Sequence, residues 1–305
     1  MQSNKNSSLV QKDQSVPLSA YIELTKPRIA LMVVVTAAIG YFLAMSQHDG
    51  SGSMQLFLVS MLGIALAGGG ASVLNQYLER DVDSKMERTK NRPLVTGIIS
   101  PSVALYLGVA MALGGCFLLV IYVNLLTAFL VLQSTFLYVL VYTPMKRLTW
   151  WNTSVGAIPG AMPPLMGWAA ATNTLDAGAW ILFAVMYIWQ HPHFFAIAWM
   201  YRDDYERGGL KMLPVVKPDC KNMSAQVIGF SVLMIPVSLI PTFIDMSGWV
   251  YFTGALILGL IFLAYGIAFV RDKSQDTART LMRVSLIYLP LLLIIIAIDS
   301  VMHLG

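Results

Sequence analysis

The run Asn75-Gln-Tyr-Leu-Glu79-Arg-Asp81-Val-Asp83 places an amide and two carboxylates at four-residue intervals. On an α-helix these three side chains lie at about 0°, 40° and 80° around the axis, so one face carries oxygen donors stacked a turn apart. Oxygens in such a row suit Mg²⁺, which takes a few protein ligands and keeps positions for phosphate oxygens. Asp81 points away from that face and suits a structural pair. Arg88 and Arg92 follow, four residues apart, and guanidinium groups grip phosphate oxygens in bidentate fashion. Oxygen donors beside arginines are what a metal–diphosphate site requires. The same spacing would equally serve a helix end laced with i,i+4 ion pairs.

A second acidic run, Tyr201-Arg-Asp203-Asp204-Tyr205-Glu-Arg207, adds two adjacent carboxylates. Two such clusters could flank a diphosphate through two metal ions. The competing reading is a solvated helix terminus in which Asp203 and Arg207 neutralise each other. Just upstream, His191 and His193 interrupt an otherwise apolar segment, with Pro192 between them. A histidine at that depth is a candidate heme ligand, substrate contact or proton carrier, or else a side chain hydrogen-bonded to a neighbouring helix.

The elements that must position these groups are membrane helices. Of the 305 residues, 57% are hydrophobic and only 12% charged, about half the charge of a soluble domain. Apolar runs of about 18 residues or more, long enough to cross the hydrocarbon core, alternate with short charged stretches. The pattern predicts nine spans, at about 29–46, 55–74, 102–122, 124–142, 152–171, 178–199, 226–244, 249–270 and 284–302. Asn124 is the only clear polar break between the third and fourth, where one long bent helix is the alternative. With nine spans, all 20 Lys and Arg residues fall on one side of the membrane. The positive-inside rule then puts the N-terminus and both acidic motifs in the cytoplasm and the C-terminus outside.

Residues 1–16 read as a disordered polar tail without a signal-peptide core, and residues 17–305 as a single transmembrane domain. The longest stretches between spans, Glu79–Ser100 and Tyr201–Ala225, are too short to fold alone. The span 152–171 holds Gly156, Pro159, Gly160, Pro163, Pro164 and Gly167, which predicts a kinked helix that either shapes a cavity or permits close packing. Cys116 lies within a span and Cys220 in a cytoplasmic loop, which excludes a disulfide between them. A transporter would place its ionisable groups near the midplane, whereas most of those here sit at the cytoplasmic helix ends.

Taken together, these stretches resemble the UbiA-type intramembrane prenyltransferase superfamily, which includes the 4-hydroxybenzoate polyprenyltransferases. Its first motif, Asn-x-x-x-Asp-x-x-x-Asp, is matched by Asn75, Glu79 and Asp83, with Glu in the middle position. Within the superfamily the chain is most similar to the heme-farnesylating branch. The matching stretches are Leu24-Thr-Lys26-Pro-Arg28, Met86-Glu-Arg88-Thr-Lys-Asn-Arg92-Pro, Tyr142-Thr-Pro-Met-Lys146-Arg147, Pro163-Pro-Leu-Met-Gly-Trp168, His191-Pro-His193-Phe, and Asp203-Asp204-Tyr205 followed by Met212-Leu-Pro. The second motif departs from the common Asp-x-x-x-Asp, because Tyr201 and Tyr205 occupy the flanking positions.

The resemblance implies an all-α membrane protein with nine transmembrane helices around a central cavity, in the inner membrane, with the site on the cytoplasmic side. It implies Mg²⁺, farnesyl diphosphate as donor and heme B as acceptor, giving heme O, with a heme A synthase as a candidate membrane partner and no nucleic acid. Asn75, Glu79, Asp83, Asp203 and Asp204 would hold the metal and carry catalysis. Lys26, Arg28, Arg88, Arg92, Tyr142, Lys146, Arg147, His193 and Lys211 would contact substrate. A quinone precursor is the alternative acceptor.

Overall fold

The structure is a computed structural model, and it describes residues 16–48 and 53–304. The tail read over residues 1–16 lies outside the described residues except for Val16. The described residues form helices throughout: α1 (Leu18–Leu24), α2 (Pro27–Gln47), α3 (Met54–Asp83), α4 (Pro101–Tyr122), α5 (Leu125–Leu148), α6 (Asn152–Thr172), α7 (Ala177–Met200), α8 (Arg202–Arg207), α9 (Leu213–Val216), α10 (Lys221–Phe243), α11 (Trp249–Asp272) and α12 (Gln275–Leu304).

Eight of these, among the described residues, are long and apolar enough to cross a membrane: α2, α3, α4, α5, α7, α10, α11 and α12. The chain is thus a multi-pass membrane protein. Large apolar side chains such as Leu113, Phe117, Phe129 and Ile261 face outward, where lipid rather than water is the compatible solvent. The remaining long helix, α6, has 21 residues, but its prolines, glycines and hydroxyl side chains lower its apolarity below that of the other eight. Most of α6 is buried against protein instead of facing outward.

Asn124 does divide α4 from α5. Its side chain accepts from the Thr127 backbone N–H at 2.8 Å, capping α5, while its Nδ2 donates to the Ala169 carbonyl at 2.8 Å. A capped helix start satisfies backbone donors that would otherwise be stranded. The one long bent helix is thereby excluded. Within α5, residues Leu137–Tyr142 widen into a π-helical stretch, a distortion that is frequent at functional sites. α3 runs past its apolar part through Asp83, so the whole acidic motif is helical.

The helices close into a ring: α2 packs on α3, α3 on α4, α5 on α6, α6 on α7, and α12 returns to both α7 and α2. The α2–α6 contact is backbone against backbone. A Cβ added at Gly167 would sit 1.8 Å from the Ala37 carbonyl oxygen, and one at Gly40 would sit 2.2 Å from that of Pro164. Small residues are what allow helices in lipid to approach this closely.

Two clasps hold the 84–100 connection in place. Asp204 accepts from the backbone N–H of Glu87 at 3.0 Å and of Arg88 at 3.4 Å, and pairs with Arg207. Burial pushes the Asp204 carboxyl up, but the Glu87 N–H, the Arg207 guanidinium and the Arg88 N–H outweigh it and hold the group below its usual range. Thr89 Oγ1 donates to the Asp83 carbonyl at 2.9 Å, turning the chain back under α3.

Gly167→Ala is expected to lower stability by about 1–3 kcal/mol, the usual cost of overpacking, measured by thermal unfolding in detergent. Asp204→Ala should cost about 1–3 kcal/mol by stranding the donors of Glu87 and Arg88, and should quicken proteolysis within residues 84–100. Asp81→Ala breaks only an exposed ion pair with Arg147, so its cost should stay below about 1 kcal/mol.

Candidate active site

Asn75, Glu79 and Asp83 share one face of α3 and are 1%, 7% and 1% exposed. Oxygen-bearing groups removed from water this thoroughly need partners, and each has a cation from a different part of the chain. Lys26 Nζ donates to Asn75 Oδ1 at 2.8 Å. Lys146 Nζ lies 2.8 Å from Glu79 Oε1. Arg92 Nη1 lies 2.5 Å from Asp83 Oδ2. The second oxygen of Asp83, Oδ1, is buried with no hydrogen-bond partner among the described residues.

Each cation is positioned by local structure. Lys26 precedes the α2 span in a left-handed conformation, φ 51°, immediately before Pro27. That conformation is strained for a residue with a side chain. It is held by backbone bonds on both sides and by Gln76 Nε2, which donates to the Leu24 carbonyl at 2.9 Å. Burial, then the Arg92 and Lys146 cations, bring the Lys26 ammonium down to about 7. Lys146 sits one turn beyond Tyr142, whose ring centroid is 4.6 Å from the ammonium. Its carbonyl accepts from the Lys211 N–H at 2.6 Å, and the Lys211 carbonyl accepts from Asn152. Lys211 therefore braces Lys146 through its backbone.

Thr143 completes the constellation. Its hydroxyl accepts from Asn75 Nδ2 at 3.0 Å and donates to the Tyr138 carbonyl at 2.8 Å, so the π-helical stretch fixes the Asn75 amide. Tyr138 and Tyr142 stack with centroids 5.7 Å apart. Neither Thr143 nor Tyr138 was a candidate by spacing; Thr143 lies inside the Tyr142–Lys146 stretch, and only its position between two such residues marks it. Beside the constellation is an open pocket of about 340 Å³ whose lining includes Lys26, Arg28, Gln76 and Arg92.

Other expected residues fall elsewhere. Arg147 turns to the opposite side of α3, where it holds Asp81 by two bonds of 2.9 and 2.6 Å and reaches the Leu78 carbonyl at 3.0 Å. Asp203 is exposed and pairs with Arg202 at 3.3 Å. Asp204 is spent on the Glu87–Arg88 backbone and Arg207. The five expected metal ligands thus do not meet: among the described residues no three His, Cys, Asp or Glu side chains cluster. Arg88 lies over the Tyr201 ring at 4.7 Å and reaches the Tyr205 hydroxyl at 3.4 Å, so the tyrosines of the second motif receive it instead. His193 lies deeper, with Nδ1 2.7 Å from Ser285 Oγ.

Residues 33–289 match the model of the UbiA prenyltransferase family. A protoheme IX farnesyltransferase of Solibacter usitatus (strain Ellin6076) is 44% identical over 285 residues, covering 92% of this chain and 98% of its own. One from Salinibacter ruber (strain DSM 13855 / M31) is 42% identical over 279 residues, covering 92% and 98%. Among solved structures, a digeranylgeranylglyceryl phosphate synthase is similar at a TM-score of 0.79 and 16% identity, over 93% of this chain and 99% of its own. A UbiA homolog from Archaeoglobus fulgidus bound to GPP and Mg²⁺ is similar at a TM-score of 0.59 and 15% identity, over 91% and 99%. With its buried Asn-Glu-Asp face and a family match over most of its length, the chain belongs to the UbiA prenyltransferase family.

Proposed function

We propose that the chain transfers a farnesyl group from farnesyl diphosphate to a vinyl group of heme B, giving heme O. The observation that carries this reading is the pairing of three buried oxygen-bearing side chains on α3 with Lys26, Lys146 and Arg92. Protoheme IX farnesyltransferases, similar over nearly their whole length, support the choice of donor and acceptor.

The oxygen donors Asn75, Glu79 and Asp83 fit Mg²⁺. Asp83 Oδ1 is a buried carboxylate oxygen still without a partner, and a hard divalent cation prefers such ligands. When bound, the ion would offset diphosphate charge and act as a Lewis acid on its oxygens. Distant UbiA homologs bound to Mg²⁺ and GPP or DMAPP support this assignment.

Lys146 and Arg92 pair with Glu79 and Asp83, and Lys26 donates to the Asn75 amide oxygen. Asn75, Glu79 and Asp83 would hold the metal, and Lys26, Lys146 and Arg92 would supply positive charge to the phosphate oxygens. Arg28 and Arg88 add positive charge at the rim. Fixed cations aimed at the leaving diphosphate stabilise the charge that develops as the allylic C–O bond breaks. Tyr142 and Tyr138, one and two turns deeper than Lys146, lie where the allylic cation would form, shielded from premature water. The heme vinyl carbon attacks that cation. Water then adds to the carbocation left beside the porphyrin and loses a proton, giving the hydroxyethylfarnesyl group and diphosphate.

We further propose nine spans, with α6 as the ninth, surrounding a central cavity, and the site on the cytoplasmic side of the cell membrane. Lys26, Arg92, Lys146 and Arg88 converge at one end of the bundle, while the connections that carry no Lys or Arg lie at the other; by the positive-inside rule the first end is cytoplasmic. The product would pass to a membrane enzyme that consumes heme O, such as a heme A synthase.

Membranes incubated with heme B, Mg²⁺ and farnesyl diphosphate should yield a pigment whose mass equals heme B plus a farnesyl group and a hydroxyl group. Yield of prenylated quinone precursor in place of that pigment would refute the acceptor. Asp83→Ala should lower diphosphate release at least about 100-fold with membrane insertion intact; release at the parental rate would refute the site. Chelation of Mg²⁺ should stop turnover and re-addition restore it.

A further inference from the structure

Two histidines lie in α7, and their surroundings set them apart. His191 is fully enclosed and both ring nitrogens are engaged. Nδ1 meets the Tyr187 carbonyl at 2.8 Å and must donate; Nε2 lies 3.2 Å from Ser154 Oγ. Its ring is stacked on Phe230 at 3.7 Å. His191 is a packed structural side chain.

His193 is built differently. Ser285 Oγ, on α12, donates to the Met282 carbonyl at 2.6 Å. What it offers His193 Nδ1 at 2.7 Å is therefore a lone pair, which places the ring proton on Nδ1. The Trp189 indole stacks on the imidazole at 5.0 Å and donates from Nε1 to the Ser285 carbonyl at 2.8 Å. The ring is thus fixed in tautomer and orientation, with Nε2 deprotonated. His193 is 8% exposed, and the Nδ1–Ser285 bond is the one its ring makes among the described residues, leaving Nε2 without a partner there.

An imidazole that donates one N–H to a fixed acceptor and leaves its other nitrogen bare is the arrangement of a metal-ligating histidine. No second ligand converges on it among the described residues, so it could not hold a free divalent ion. Heme iron needs only one such bond, because the porphyrin supplies the other four nitrogens. His193 precedes Tyr201, beneath Arg88, by about 12 Å along α7, so an iron held there lies deeper than the diphosphate end.

We propose that His193 Nε2 is an axial ligand to the iron of the heme acceptor, with Ser285 and Trp189 as positioning residues; this rests on the farnesyl transfer to heme B proposed above. The bond would fix the porphyrin within the bundle, deeper than the diphosphate end.

The test is titration of the full chain, in lipid nanodiscs, with heme B, followed by absorbance and electron paramagnetic resonance. The parent should give an imidazole-ligated spectrum. His193→Gly should lose it, and added imidazole should restore it. Ser285→Ala should weaken heme binding about 10- to 100-fold, and His191→Gln should keep the parental spectrum. Farnesyl diphosphate binding by His193→Gly serves as the check that the variant is folded. A parental spectrum in His193→Gly, or failure of imidazole to restore it in a variant that still binds farnesyl diphosphate, overturns the ligation. If the parent then still farnesylates heme B, only the ligation falls. If the parent shows the His193-dependent spectrum but forms no farnesylated heme, only the activity falls. If the parent binds no heme B, both fall.

Discussion

Carboxylates at the end of a membrane helix are tolerable only when something of opposite charge reaches them. Glu79 and Asp83 meet that condition through residues 67 and 9 positions away in sequence, and Asn75 meets Lys26 across 49. The rest of the structure follows from bringing those partners to one place. The left-handed turn at Lys26, the π-helical widening before Lys146 and the folded 84–100 connection each set one cation in register with one turn of α3. Burial of such pairs adds little to stability by itself. Its value here is that the charges are held out of water at fixed spacing, available to a ligand that carries both signs, as a metal diphosphate does.

Much of this was readable in the residues. The four-residue spacing put Asn75, Glu79 and Asp83 on one face because helical geometry leaves no other option once the segment is helical. Asn124 marked a helix boundary because a short polar side chain in an apolar run is what a cap requires. Asp81, off the face, was expected in a structural pair and is in one. What spacing could not reveal was the identity of its partner. Lys146 and Arg147 are adjacent, so they diverge around the helix; one reaches Glu79 and the other Asp81. Sequence alone treats the two cations as equivalent.

The second acidic motif illustrates the same limit. Asp203 and Asp204 are neighbours of identical chemistry, yet one is exposed and the other accepts two backbone N–H groups from 116 and 117 residues away. Its tyrosines, which replace the more usual carboxylates, receive Arg88 on their rings instead. α6 carried the opposite ambiguity. Its prolines and glycines allowed either a cavity wall or a packing device, and tight backbone contact with α2 is what the chain adopts there.

That contact also governs how the bundle can breathe. Where two helices touch through side chains, rotamer changes let them slide or part by small steps. At Ala37 and Gly167 no side chain intervenes, so α2 and α6 have no soft layer between them and move as a single slab. A bulky, flat guest and a long flexible tail must both be admitted from the lipid. The α2–α6 junction, with no side-chain layer to part, is closed to that traffic.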